Sequence, residues 1–216
     1  MINSLFEVYD PYTFSLNLSL NWFPISVVLF MGVSEFWCLN SFYMILISMF
    51  LLFLMSEFSN FYHLKMMKIN LILFISLFMF ILFVNILGLI PYVFSCSSHF
   101  VFSVSIGFPV WLSLMLLGWV KFNNNMFIHL IPLGTPMILI SFMALIETIS
   151  NLIRPWSLSI RLMSNMISGH LLMNLLGDCG FYLIFVQAGL FIFEFFVCFI
   201  QAFVFSALLT LYSSEI

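Results

Sequence analysis

The chain has 216 residues, 64% of them hydrophobic and 6% charged, with a net charge of −3 and a mean hydropathy of +1.24. A soluble domain carries about a quarter charged residues, so five Lys+Arg and eight Asp+Glu cannot cover a water-facing surface. The composition is that of an integral membrane protein and excludes a nucleic-acid binder, which needs a basic cluster that this sequence lacks.

The N-terminal stretch MINSLFEVYDPYTF carries Glu7 and Asp10 but no Lys or Arg. It reads as neither a secretory signal nor an Arg-rich transit peptide. The first apolar run, 22–38, holds only Glu35. Residues 41–56, SFYMILISMFLLFLMS, are short for a span and lead into the charged segment EFSNFYHLKMMK. On hydropathy an interfacial helix and a short crossing stay equally open there.

Residues 69–94 and 100–120 contain no Asp, Glu, Lys or Arg. Each is long enough for a helix crossing about 30 Å of hydrocarbon, and helices satisfy the backbone internally in lipid. Two longer runs follow. Residues 136–176 are interrupted by Glu147, Arg154, Pro155 and Arg161, and 181–211 hold only Glu194. As helices they would extend ~60 Å and ~45 Å, so they must tilt strongly, kink or partly leave the bilayer. Pro155 is the kink candidate. The turn GDCG, 177–180, folds the two back as a hairpin.

Lys65 and Lys68 precede the 69–94 span and Lys121 follows the 100–120 span, which puts all three on one side. The opposite connections, 95–99 and 177–180, have no Lys or Arg. The lysine side is therefore the cytoplasm or matrix. Five spans place the N-terminus outside and the C-terminus inside.

Cys38, Cys96, Cys179 and Cys198 lie far apart, with no CxxC and no His at metal spacing, and read as apolar fillers. No metal or cofactor site is expected. His63, His99 and His129 fall in or beside charged and turn segments and read as interfacial; the five Trp mostly sit near span ends, as belt anchors do. Thirty Phe beside nine Gly is the bias of an A/T-rich coding sequence, as organellar genomes have.

The chemistry lies in the polar residues of the last two runs. Glu147, Arg154 and Arg161 recur at steps of seven, and each step drifts only about 20° on a helix, so they share a face. Asn165 follows Arg161 by one turn, and Ser168 lies on the same side. His170 falls on the opposite side of a regular helix. The last run carries Gln187, Glu194 and Gln201, again seven apart. Folding the hairpin about 178–179 brings Gln187 level with His170 and groups Arg161, Glu194 and Gln201 at mid-depth. A charged group at the bilayer centre costs ~2.5–3.5 kcal/mol. Glu147 and Arg154 are one turn-pair apart and can form a structural ion pair; Arg161 and Glu194 have no local partner. Glu194 is a proton-carrying candidate, whereas arginine stays charged and can serve only as a fixed cation.

These residues carry a resemblance. RLMSNM followed by GHLL is similar to the RLxxNM…GH segment of subunit a of mitochondrial F-type ATP synthases. YDPYTF, LNLSLNW, NILGLIPYVF, HLIPLGTP, IETISNLIRP, QAFVF and LYSSE agree in order and spacing, so the likeness runs from end to end. It implies an all-α integral membrane protein with about five membrane helices and a surface helix over 41–68, ending in a long, strongly tilted helical hairpin. The parts would be an N-terminal span and interfacial helix (1–68), a helical pair (69–120) and a proton-channel hairpin (136–214) within one membrane domain.

The resemblance also implies the stator half of a rotary motor in the mitochondrial inner membrane. Its partners would be the ring of c subunits, other stator subunits including the peripheral stalk, and the bilayer. Two offset half-channels would hand protons to and from the ring. Arg161 matches the essential arginine between them, Asn165 the amide one turn later, Glu194 the acid on the last helix and Gln201 the glutamine beyond it. His170 matches a position that is histidine in mitochondrial members; with Gln187 it completes the expected proton-translocating set. Met163-Ser164 and Trp156 depart from the family pattern, and residues 31–68 match least. No GxxxxGK[ST] loop is present, so nucleotide chemistry is not expected of this chain, nor is a Na⁺-type cluster of Asp, Ser and Thr visible. A haem or quinone redox subunit would need paired histidines at span centres, and an ion-coupled transporter would show internal repeats; neither pattern is seen.

Overall fold

A computed structural model of the chain describes residues 6–13, 18–31, 41–60, 68–131, 136–180 and 183–215. Every regular element among them is helical. Cys38, Trp37, His63, Lys65 and the second half of the 22–38 run lie outside the described residues, as do the side chains of Lys68 and His129.

Helix α1, Phe23–Met31, begins where the first apolar run begins. Helix α2, Phe42–Ser59, is capped by Ser41, whose Oγ accepts the Met44 N–H at 3.4 Å. Helix α3, Lys68–Leu89, and helix α4, Phe100–Lys121, coincide with the two uncharged runs. Between them Pro91-Tyr92 reverses the chain, Tyr92 taking a φ of 67°. A short helix α5, Asn123–Leu130, follows in the connection that holds His129.

Helix α6, Ile140–Asp178, runs without interruption through Pro155. Its 39 residues extend about 58 Å at ~1.5 Å per residue, nearly twice the hydrocarbon thickness. Helix α7, Ile184–Glu215, returns over 32 residues. Four helical stretches among the described residues are long and apolar enough to cross a membrane: Leu71–Leu89, Phe100–Lys121, Met137–Asp178 and Ile184–Ser214.

The core is built where α3 lies against α7 and α4 against α6. Phe74, Phe78 and Ile81 of α3 meet Ala202, Phe205 and Leu209 of α7, with Leu158 and Leu162 of α6 closing one side. Helix α2 docks through Leu54 and Phe58, the latter stacking on Phe203 at 5.8 Å. A second cluster ties α1 to the α3–α4 connection through Val28, Val84, Phe94 and Cys96. Trp22 packs edge-on against Phe94 at 5.5 Å and against His99 at 5.2 Å. The outer faces of α6 and α7 stay apolar and open, with Phe142, Leu145, Leu152, Phe193 and Ile200 all more than half exposed.

Candidate proton-translocation site

The hairpin register decides which polar groups meet. Gly177 is still helical, and the chain reverses only after Gly180, whose φ of 77° ends the helix as a left-handed glycine does. The fold point is therefore later than residues 178–179, and every pairing across the hairpin shifts with it. A Cβ at Gly177 would stand 3.9 Å from Gln187 Nε2. Cys198 Sγ lies 3.8 Å from Met166 Sδ. Asn165 Nδ2 donates to Gln201 Oε1 at 3.0 Å. Gln187 is thus level with Gly177 rather than with His170, and Glu194 leaves the level of Arg161 for that of Gly169.

Glu194 sits in a built seat. Its carboxyl rests on the bare backbone of Gly169, so close that any Cβ there would collide with it. The residue is 6% exposed although the outer face of its helix is open. The next residue on α6 is His170, whose Nε2 is buried without a hydrogen-bond partner, as is Asn174 Nδ2 one turn on. Glu194, His170, Asn174 and Gln187 line one wall of a cavity of about 1230 Å³. The α3–α4 connection (Leu89 to Phe94) and the N-terminal residues Asp10, Tyr12 and Asn21 supply the rest. Among the described residues Asp10 and Glu194 are its only carboxyls, and no Lys or Arg lines it.

Arg161 precedes Gly169 by eight residues, about 12 Å of helix rise. It is exposed, and among the described residues its guanidinium has no ion pair, hydrogen bond or ring contact. The Asn165–Gln201 hydrogen bond lies between it and Glu194. Gln201 is 5% exposed and keeps Nε2 unpartnered. Further along the same helix Arg154 pairs with Glu147 at 3.8 Å and lies over the Tyr212 ring at 4.8 Å. The expected outer ion pair is therefore formed and is braced by α7. Cys96, Cys179 and Cys198 are free.

The ATP synthase A chain family model matches residues 18–214. The chain belongs to this family. Curated relatives agree over the whole length: ATP synthase subunit a of Locusta migratoria is 46% identical over 224 residues, and those of Anopheles gambiae and Drosophila melanogaster are 44% identical over 225 and 224 residues. In each case the match covers 100% of this chain and of the relative. Family members are the proton-channel stator subunit in the membrane sector of the F-type ATP synthase, a multi-pass inner-membrane component of the complex that is not itself catalytic. Neither the redox-subunit nor the transporter reading finds support among these relatives.

Four contributors to the site escaped the sequence reading. Asp10 and Asn21 belong to an N-terminal segment remote in sequence from the hairpin. Asn174 follows His170 by one turn, a spacing that was available as a signal. Gly169 carries none, since only the register reveals what rests on it. Outside the site, Asn85 is 1% exposed in the middle of α3 with both amide atoms unpartnered among the described residues; an uncharged amide in a run free of Asp, Glu, Lys and Arg carries little signal in the sequence.

Proposed function

We propose that this chain moves protons in two offset steps separated by Arg161. The observation that carries the reading is the division along α6: a buried acid lining a large cavity, then a hydrogen-bonded amide pair, then an exposed cation with no partner among the described residues. The cavity adjoins the Leu89 end of α3, opposite the end that begins at Lys68. By the positive-inside rule it opens on the intermembrane-space side, with the N-terminus there and the C-terminus in the matrix.

Protons enter the cavity and reach Glu194 through its water and His170, Asn174 and Gln187. From Glu194 they pass to a carboxyl of the c-ring, which rides on the apolar faces of α6 and α7. Arg161 favours the ionised form of each rotor carboxyl arriving from the other side. As a charge that cannot be neutralised it also repels a bare proton crossing directly. Each charge moved through 100 mV makes ~2.3 kcal/mol available, and the barrier at Arg161 turns that into rotation instead of leak. Asn165 and Gln201 hold α6 to α7 between acid and cation. Glu147 and Arg154 brace the matrix half, a structural role.

The whole chain forms one membrane domain. Within it α2 is expected to lie immersed in the matrix leaflet, since its open side carries Phe42, Leu46, Met49, Leu52 and Phe53 and an interfacial helix needs a strongly polar face. The peripheral stalk and other stator subunits cover surfaces away from the ring, and nucleotide is handled elsewhere in the complex.

Arg161→Ala in the reconstituted complex tests the reading by two assays, ATP-driven pumping and passive flux under an imposed potential with the soluble head removed. Lost pumping with surviving passive flux is the expected result. Surviving pumping would make the arginine structural and overturn the two-step scheme.

A further inference from the structure

Described residues of the N-terminal segment, Asp10, Tyr12 and Asn21 among them, line the cavity, and they are tied down at several points. Tyr9 Oη donates to the main-chain carbonyl of Ile167 on α6 at 3.1 Å. Asn21 Nδ2 donates to the Asp10 carbonyl at 3.1 Å, linking the two halves of the segment. The second half is docked on the α3–α4 connection by Trp22 against Phe94 and His99. Burial pushes the Tyr9 phenol up to about 12, so its hydroxyl remains a donor throughout the physiological range. The tether to α6 does not open with pH.

This tether fixes Asp10. The carboxylate is exposed, yet it is not free to wander: Oδ1 accepts the Tyr12 N–H at 3.2 Å in an Asx turn. It faces a cavity whose other titratable groups are Tyr12 on its own segment, Tyr92 on the α3–α4 connection, His170 on α6 and Glu194 on α7. Among the described residues no Lys or Arg lines the cavity to neutralise it. Of these two carboxyls Asp10 is exposed to water at the mouth and Glu194 is buried, with His170 next in chain to the Gly169 on which Glu194 rests. A mouth lined by one sign of charge concentrates counter-ions and speeds their capture by about 10–10³-fold.

We propose that Asp10 is the outermost proton-collecting group of this cavity, positioned there by an N-terminal segment that serves as the cavity's outer wall. The proposal rests on the reading of the cavity as the proton inlet. Asp10 acts on capture from water, so its effect is greatest where protons are scarce on the inlet side and vanishes where they are abundant. A turn-forming role alone would give no such dependence.

The test uses the intact complex in phosphatidylcholine vesicles, with proton-driven ATP synthesis followed as a function of inlet-side pH at constant driving force. Asp10→Asn keeps a turn acceptor and removes the charge. It is expected to lower the rate about 10-fold at alkaline inlet pH, the lower end of electrostatic capture effects, and to match the wild type at acid inlet pH. Asp10→Glu should restore the alkaline rate. Asp10→Ser, which also accepts in a turn, replaces Asp10→Asn if that variant does not assemble. Equal rates for wild type and the uncharged variants at every inlet pH would overturn the proposal, as would a loss that is the same at all pH. Glu194→Gln, run alongside, separates the two levels. If it too leaves the rate unchanged, the inlet reading itself fails; if it abolishes synthesis while Asp10→Asn does nothing, only the role of Asp10 falls.

Discussion

Gly169→Ala isolates the seat of Glu194 from every other feature of the hairpin. The added Cβ would stand 2.7 Å from Glu194 Oε1, and nearer still to Cδ and Oε2, where ordinary contact begins at 3.4 Å. Oε1 alone must withdraw by 0.7 Å, the difference of those two distances, and the nearer Cδ and Oε2 by more. What obstructs is the end of a flexible side chain, so the backbone can stay and the cost is one of rotamer, about 0.5–1.5 kcal/mol. Alanine regains about 0.8–1.0 kcal/mol over glycine in a helix interior. The two effects nearly cancel, and the variant should assemble and melt like the wild type. Function should not be spared, because misplacing a positioned group by about 1 Å can cost up to ~10²-fold in rate. The expectation is a 10- to 100-fold fall in ATP synthesis after a pH jump in reconstituted complex, at normal complex content. Adding Glu194→Asp, which shortens the side chain by one methylene, should recover part of the loss by emptying the contested space. A wild-type rate in Gly169→Ala alone would refute the claim that the seat of Glu194 matters to transfer.

The Asn165–Gln201 bond should appear as coupling: Asn165→Ala leaves the buried Gln201 unpaired at about 1–3 kcal/mol, Gln201→Ala leaves the half-buried Asn165 at less, and the double-variant cycle should return about 0.5–1.5 kcal/mol for the pair itself. Strictly additive losses in thermal denaturation of the complex would show that the two amides do not interact. Sidedness is read from the cysteines. Cys179, exposed at the hairpin turn, should be modified by a membrane-impermeant maleimide from the intermembrane-space side. Cys96 should resist it, being 2% exposed with its thiol pushed up to about 11 by burial. A raised thiol pKa disfavours the reactive thiolate, which is then about one part in 10³ at pH 8 and grows only as pH approaches 11. Adducts at Cys179 formed only from the matrix side, located by mass spectrometry, would reverse the proposed topology.

The long elements could be read from the chain because in lipid the apolar run and the helix are the same physical requirement. Runs 69–94, 100–120, 136–176 and 181–211 became α3, α4, α6 and α7 with their ends moved by a few residues. The site was legible one helix at a time. Periods of seven put Gln187, Glu194 and Gln201 on one stripe and Arg161 with Asn165 on another; in the structure Gln187 and Glu194 line one cavity and Gln201 bonds Asn165. What could not be read was how far one helix slides along the other, since periodicity is blind to axial displacement. That displacement depends on where α6 stops, and GDCG offers two glycines. Gly177 tolerates the helix because Cys179 and Gly180 can still bond back to Leu176 and Gly177, while Gly180 alone adopts the left-handed conformation. The choice of the later glycine moves Glu194 about two turns away from Arg161 and onto Gly169. It has a functional consequence that the earlier fold point would have denied. With acid and arginine side by side, Glu194 would be held as a permanent ion pair and could not release a proton on demand. In the proposed function, with about 12 Å of helix rise between their levels and the Asn165–Gln201 bond between, the acid would exchange protons with the cavity while the exposed cation acts on the open side. In this fold the resting place of a single glycine at the turn decides whether the two charges neutralise each other or work in sequence.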